Sequence, residues 1–548
     1  MKSALLAISF LAVGCIAEEG INLKQHPNIL FLVADDLRPF LGTYKNDQMA
    51  ITPNLDKLAK KSAQFNAAYA QQALCAPSRN SFLTSRRPDT LKLYDFYSYW
   101  RNFAGNFTTL PQYLKSHGYH TVSVGKIFHP GISSNFSDDY PHSWSQKPFH
   151  PKSEEFKDAK VCSSLDDEKL HRNIVCPVEI SKMPGNTLPD IETAQFAIDF
   201  LRQRASSSTG VTTPFFLAVG FHKPHIPLKF PKEFSDLYPI ENVTLTKHSE
   251  RPLGYPTVAW NSWLDLRKRE DVNNLHLKFP YEPVPDTFAK RIRQAYFAST
   301  SYIDHLVGQL LDELSMSKSM ASNTIIVFFG DHGWSLGELG EWAKYSNQEA
   351  ALRVPLILHI PGITDHTPEQ IDAPVELLDI FPTLVEAVGL ERMPECPSES
   401  RISRQVTFCT EGRSLLKLMR GLEKQSKGET IAAAAFSQYP RPGAKPTLRP
   451  NSDEPRLRQI QVMGYSVRVP GFRYTEWVRF NPKVFAANWT AVVDVELYDL
   501  LRDPDGVVNR AFDMKFAGVR AKPYAKKILK KVNEWLVCAI YLSSSDTY

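Results

Sequence analysis

The chain has 548 residues, of which 43% are hydrophobic and 22% charged, with a formal net charge of +5. That balance excludes a disordered or fibrous protein, and the length allows a large buried core divided into about two to four units. The charge is too small for this size to indicate nucleic-acid binding, although a polyanionic ligand is compatible with it.

The first residues carry one lysine, an apolar run from Ala4 to Ala17 and then two glutamates, which predicts a secretory leader over residues 1–17. No later stretch reaches the roughly 20 apolar residues of a membrane-spanning helix, so no stable membrane insertion is expected. Asn28 to Val33 is continuously apolar and runs into Asp35 and Asp36, the pattern of a buried parallel strand that delivers acids to its carboxyl edge. Thr52 and Pro53 predict a helix start, with Leu55, Leu58, Ala59, Ser62 and Phe65 on one face. Buried strands are predicted near Thr121 to Val124, Phe215 to Gly220 and Thr324 to Phe329, the last again ending in an acid, Asp331.

A long amphipathic helix is predicted from Asp286 to Leu314, its apolar stripe assigned to core packing. The stretches 137–189 and 248–285 are rich in Pro, Trp, His and charge, and predict long loops over an active face. Residues 392–430 turn polar and mark a boundary. Beyond them, 461–469, 472–480 and 492–500 alternate like antiparallel strands, and Ile528, Val532 and Trp535 suggest a final helix. The expected organisation is an α/β catalytic domain over 18–430 and a smaller α+β subdomain over 431–548.

Seven cysteines are present, with Cys15 in the leader. Cys162 and Cys176 lie close in one polar stretch, and Cys396 and Cys409 in another, so each pair can close a local disulfide; Cys75 and Cys538 are left over. Sequons at Asn106, Asn135, Asn242 and Asn488 fit a glycosylated secretory protein.

Cys75 to Arg79 reads CAPSR. Taken alone, Cys75 is a buried thiol or a disulfide partner, the paired acids are caps or ion-pair partners, and single lysines and histidines belong to surface or core. Asp35, Asp36 and Asp331 nevertheless suit a hard divalent cation by chemistry.

With these neighbours, the CAPSR segment resembles the signal by which members of the sulfatase family have a cysteine oxidised to formylglycine. The resemblance implies that a formylglycine-generating enzyme converts Cys75, and that a hydroxyl of the aldehyde hydrate attacks sulfur while the other later expels sulfate. It implies one Ca2+ held by Asp35, Asp36, the modified Cys75, Asp331 and His332. Arg79, Lys126, His225 and Lys344 are then expected to meet charge on the sulfate oxygens, with Lys126 and Lys344 on the sulfate, His129 at the aldehyde hydrate, His225 at the sulfate or the leaving oxygen, and His222 as a structural neighbour. The implied fold is the alkaline phosphatase-like α/β sandwich, a large mixed sheet flanked by helices with a smaller C-terminal subdomain.

Beyond the catalytic motif, VADDLRP, RRPDT, YDFYSYWR, GKIFHPGISSN, FFLAVGFHKPHIP, GEWAKYSN, SQYPRP and ELYDL resemble, in order, the branch acting on 2-sulfated iduronate. That branch implies heparan and dermatan sulfate as substrates and a lysosomal destination through the secretory pathway. Two positions depart from the family pattern: Ser85 stands where the motif continues with Gly, and Leu339 where a His is common. They leave open a sulfatase for another sulfated glycan, or a poorly modified glycan-binding pseudoenzyme.

Overall fold

A computed structural model describes residues 26–514 except 46–49, 103, 165–166, 207–212, 366–369, 399 and 422–433. The expected leader, the helix around Trp535, Cys538 and the expected boundary at 430/431 lie outside the described residues.

The core is an eight-stranded sheet. Its long strands are β1 (Asn28–Asp35), β2 (Ala63–Tyr69), β3 (His120–Gly125), β4 (Phe215–Pro224), β5 (Thr324–Gly330) and β6 (Arg353–His359). They lie in the order β2, β6, β5, β1, β4, β3, with Gln370–Ile371 and Val375–Glu376 both pairing with β2. The strands β3, β4, β1 and β5 are mutually parallel and β6 is antiparallel to its neighbours, which makes the sheet mixed. Seven of the eight β1 residues are buried, as a strand covered on both faces requires.

Helices pack on both faces. The helix Asp286–Met316 runs 31 residues, two beyond its expected end, and lies over β4 with Pro189–Ser206. Its stripe of Ile292, Tyr296, Ile303, Val307, Leu310 and Leu314 is buried, as the 3.6-residue period predicts. On the other face Ile380–Ala387 joins a cluster with Phe31, Phe82 and Phe329.

The helix from Pro53 ends at Ala59, and Phe65, expected on its face, belongs to β2. Seven residues make barely two turns, and residues 63–69 pair with β6 instead of prolonging the helix. β6 was not expected either. Pro355 interrupts it, and the register against β2 shifts between Val354 and Leu356 to accommodate a residue that cannot donate to the ladder.

The stretch 137–189 contains short 3-10 turns and strands closed by the Cys162–Cys176 disulfide, and Cys396–Cys409 forms the second expected disulfide. Val175–Val178 in that first stretch pairs in parallel with Leu228–Pro231. Beyond residue 433, β7 (Ala435–Arg441), β8 (Val462–Val469), β9 (Phe472–Asn481) and β10 (Ala486–Asp499) form one antiparallel meander. The last three cover the expected strands, while β7 is an addition. No helix among the described residues is long and apolar enough to cross a membrane. All four sequon asparagines are exposed.

Candidate active site

The site stands at the carboxyl edge of the sheet, where β1 and β5 end side by side. Successive side chains on an extended strand point to opposite faces. Asp36 breaks that alternation with a left-handed φ of 64°, and its main-chain N–H is held 3.0 Å from Asp331 Oδ1. Asp35, Asp36, Asp331 and His332 are all fully buried there.

Cys75 opens the helix α1 (Cys75–Thr84), so its thiol sits in the first turn, where unpaired N–H groups and the helix dipole favour negative charge. Its Sγ lies 3.3 Å from Asp35 Oδ1, 3.3 Å from His332 Nε2 and 3.1 Å from Lys344 Nζ. One turn on, Arg79 is completely buried, its Nε 2.9 Å from Asp331 Oδ2 and its NH2 3.5 Å from Asp35 Oδ1. It also donates to the carbonyls of Lys126 and Ile127. Arg79 was expected among the cations facing sulfate; its hydrogen bonds reach the Asp331 carboxylate and main chain at the ends of two strands.

Lys126 follows β3, with its ammonium on Asp35 Oδ2 and 3.8 Å from Cys75 Sγ. Two glycines bring it there. A Cβ on Gly220 would fall 2.0 Å from the Lys126 carbonyl oxygen, and one on Gly125, whose φ is +70°, would fall 2.3 Å from the Gly220 oxygen. His129, three residues on, lies tilted against Phe96 with centroids 4.5 Å apart and has its buried Nδ1 unpartnered. With Lys126 and His225 it lines a cavity of about 190 Å3 that opens beside the site.

His225 lies beyond the end of β4. Its Nδ1 is 2.6 Å from the Ile226 oxygen, which leaves Nε2 facing Asp36 Oδ2 at 3.9 Å. His222 points elsewhere, to Glu154 at 3.0 Å and Asp190 at 3.5 Å. Lys344 reaches in from the segment after β5, 3.0 Å from Asp36 Oδ1.

The charges here set one another. Burial pushes the Asp35 carboxyl up, but Lys126, His225, Arg79 and Lys344 outweigh it and hold the carboxyl well below its ordinary range. Burial would lower Lys344, and Asp36, the Cys75 sulfur and Asp35 instead raise it well above the ordinary lysine value. Burial and then Lys344 push His225 well down, while burial and Lys126 do the same to His129. His332 is raised to about 9, because Asp331 and the Cys75 sulfur outweigh its burial.

Ligand atoms of Asp35, Cys75, Asp331 and His332 lie within 4.8 Å of one another, as do those of Asp36, Cys75 and His225. Two observations fit this cluster to a divalent cation. Asp36 Oδ2 is buried with no hydrogen-bond partner, and three carboxylates, of Asp35, Asp36 and Asp331, converge on the His332 ring nitrogens at 3.9, 3.3 and 3.5 Å. His332 Nδ1 sits 3.0 Å from the Gly333 oxygen, so its Nε2 is the nitrogen turned to the cluster. Three carboxylates suit a hard ion such as calcium.

A family model described as Sulfatase matches residues 27–390. The chain belongs to the sulfatase family. The iduronate 2-sulfatase of Homo sapiens is 49% identical over 527 residues, covering 91% of this chain and 94% of that protein. That of Mus musculus is 48% identical over 531 residues, covering 92% and 94%. Among solved structures, a phosphonate monoester hydrolase of Agrobacterium radiobacter superposes with a TM-score of 0.64 at 19% identity, covering 92% of this chain and 95% of that one. The fold of this sulfatase is the alkaline phosphatase-like sandwich that its motifs implied.

Its two departures are absorbed locally. Ser85 caps α1 with a left-handed φ of 52°, the conformation glycine takes without strain, and its hydroxyl bonds the Leu378 carbonyl at 2.8 Å and Thr410 at 2.7 Å. Leu339 is buried in the apolar core, outside the acid cluster.

Sequence reasoning passed over several residues at the rim. Tyr345, beside Lys344, places its hydroxyl 2.7 Å from Asp265 and 3.0 Å from Glu454. Burial pushes Glu454 up to about 7. No periodicity marks these positions, because the contacts join loops that are 80 and 109 residues apart.

Proposed function

We propose that this sulfatase hydrolyses the 2-O-sulfate of L-iduronate units in heparan sulfate and dermatan sulfate, with Cys75 converted to formylglycine by a formylglycine-generating enzyme. The observation that carries the reading is the placement of Cys75 Sγ within 3.8 Å of two lysine ammonium groups and 3.3 Å of an acid and a histidine, at a helix N-terminus. Homology to the iduronate 2-sulfatases across most of the chain supports the substrate.

Asp35, Asp36, Asp331 and His332 would hold Ca2+, which when bound polarises the sulfate and acidifies a hydroxyl beside it. The formylglycine hydrate would supply that hydroxyl and a second one for releasing sulfate. The chain's own groups do the rest. Lys126 and Lys344 flank residue 75 and would meet charge on the sulfate oxygens in a buried site. Arg79 neutralises Asp35 and Asp331 from beneath and keeps both carboxylates aimed. His225, whose Nε2 faces Asp36, would bind the sulfate or, once protonated on that nitrogen, pass a proton to the leaving oxygen, and His129 would serve the hydrate from the Lys126 side.

A lysosomal destination by the secretory route is part of this reading. The exposed sequons support it. Mass spectrometry of the Cys75 peptide from a secretory host, paired with sulfate release from a 2-sulfated iduronide, tests the proposal. Formylglycine with release supports it. Unmodified cysteine without turnover, beside a control sulfatase that is modified, makes the chain a glycan-binding pseudoenzyme.

A further inference from the structure

Lys344 is carried by strained main chain. Ala343 and Tyr345, its two neighbours, have φ values of 63° and 68°. A non-glycine residue in that region is disfavoured and persists only where its surroundings over-determine it. The local strand pairing is slight, Trp342–Ala343 against Ser335–Leu336.

The restraint comes from two distant side chains. Asn261 is fully buried, and its amide nitrogen donates to the carbonyls of both Trp342 and Lys344. Its own oxygen accepts from the Trp263 N–H at 2.7 Å, which sets the amide that way round. Arg441, the last residue of β7, is 2% exposed. Its guanidinium donates to the Tyr345 carbonyl at 2.7 Å, and to those of Ala259 at 3.1 Å, Val258 at 3.0 Å and Ser452 at 3.3 Å.

One planar group therefore ties the Lys344 segment to the loop that carries Asn261. Arg441 lies 4.7 Å from the Tyr439 ring centroid and 5.6 Å from that of Trp477. Trp477 in turn has space because a Cβ on Gly464 would stand 2.7 Å from its ring.

We infer that Arg441 and Asn261 are positioning residues that aim Lys344 at Cys75 by pinning the carbonyls on either side of it. The C-terminal sheet thereby reaches the active centre through main chain. Lysine cannot replace Arg441, since a compact ammonium cannot span four carbonyls with fixed planar donors. The consequence for turnover rests on the sulfatase reading; the consequence for Lys344 does not.

The test uses the full chain, with Arg441→Lys and the nearly isosteric Asn261→Leu, so that one variant serves if the other fails to fold. An amine-reactive reagent is followed by peptide mass spectrometry, with Lys126 as internal reference. Lys344 is expected to label roughly fivefold faster in either folded variant with Lys126 unchanged, and kcat to fall on the order of 10- to 100-fold, the effect of a reacting group displaced by about 1 Å. An unchanged ratio of the two lysines overturns the inference, as does an equal rise at both, which means general loosening. Because labelling needs no turnover, a wild-type protein that releases no sulfate sinks the sulfatase reading and leaves this test standing.

Discussion

Two halves of the active centre are built in opposite ways. Asp35, Asp36, Asp331, His332 and Lys126 sit at or just beyond the ends of neighbouring parallel strands, and hydrogen bonds between strands hold them. Lys344 sits on a short strained segment gripped from outside, by Asn261 and by Arg441 of the C-terminal sheet. Further contacts extend that grip: Asn347 donates to the Gly464 carbonyl at 3.1 Å, and Arg473 bonds Gln348. A regular sheet edge needs few residues to aim a side chain. An irregular segment needs a bond for nearly every carbonyl it exposes.

The largest expected effect is at the point where both halves meet. Cys75→Ala removes the group that Asp35, His332 and Lys344 all contact, so turnover should fall below detection, at least about 1000-fold. The thermal midpoint should move by only a few degrees, about what the loss of one small side chain allows. Sulfate release by a folded Cys75→Ala protein at the parent rate would remove the nucleophile from the mechanism.

Next comes a break confined to the sheet-edge half. Gly220→Ala puts a Cβ 2.0 Å from the Lys126 oxygen, and that neighbour is main chain, which cannot swing aside. Stability should fall by roughly 2–3 kcal/mol, with Lys126 displaced and activity lost in proportion. Denaturant unfolding measures it; a shift under about 0.5 kcal/mol would mean that β3 and β4 separate freely.

An effect confined to one end of the pH range separates the halves. Glu341 accepts from the Asn261 N–H at 2.9 Å, and burial pushes its carboxyl up to about 8 from an ordinary 4.5. The folded protein thus holds this proton more tightly than the unfolded chain. The resulting stability is fully present below pH 4.5, declines as pH rises and is lost above about 8. Glu341→Gln keeps the accepting oxygen and removes the titration. It should match the parent near pH 4 and exceed it near pH 8 by on the order of 3 kcal/mol in urea unfolding. Parallel pH profiles for the two proteins would show that Glu341 is charged in the folded state.

What was legible in the sequence follows the same division. The runs at Asn28, Phe215 and Thr324 announced buried strands by hydrophobicity, and the acids directly after the first and the last marked the carboxyl edge. The 31-residue helix was legible through its period, and the cysteine pairs through their nearness in the chain. β6 was hidden by Pro355 and β2 by a helix-like spacing in its first residues, since a short run can satisfy either period until a partner strand is known.

The sequence by itself determined the family, the strands that deliver the acids, and the residues whose chemistry is local to a motif. Tertiary structure alone decided that Arg79 braces the acids, that Gly125 and Gly220 let Lys126 close on Asp35, and that Asn261 and Arg441 grip the segment around Lys344. The physical reason is range: periodicity and motif spacing report on neighbours within a turn or a strand. A carbonyl on one loop finds its donor about 80 or 100 residues away only once the chain has folded.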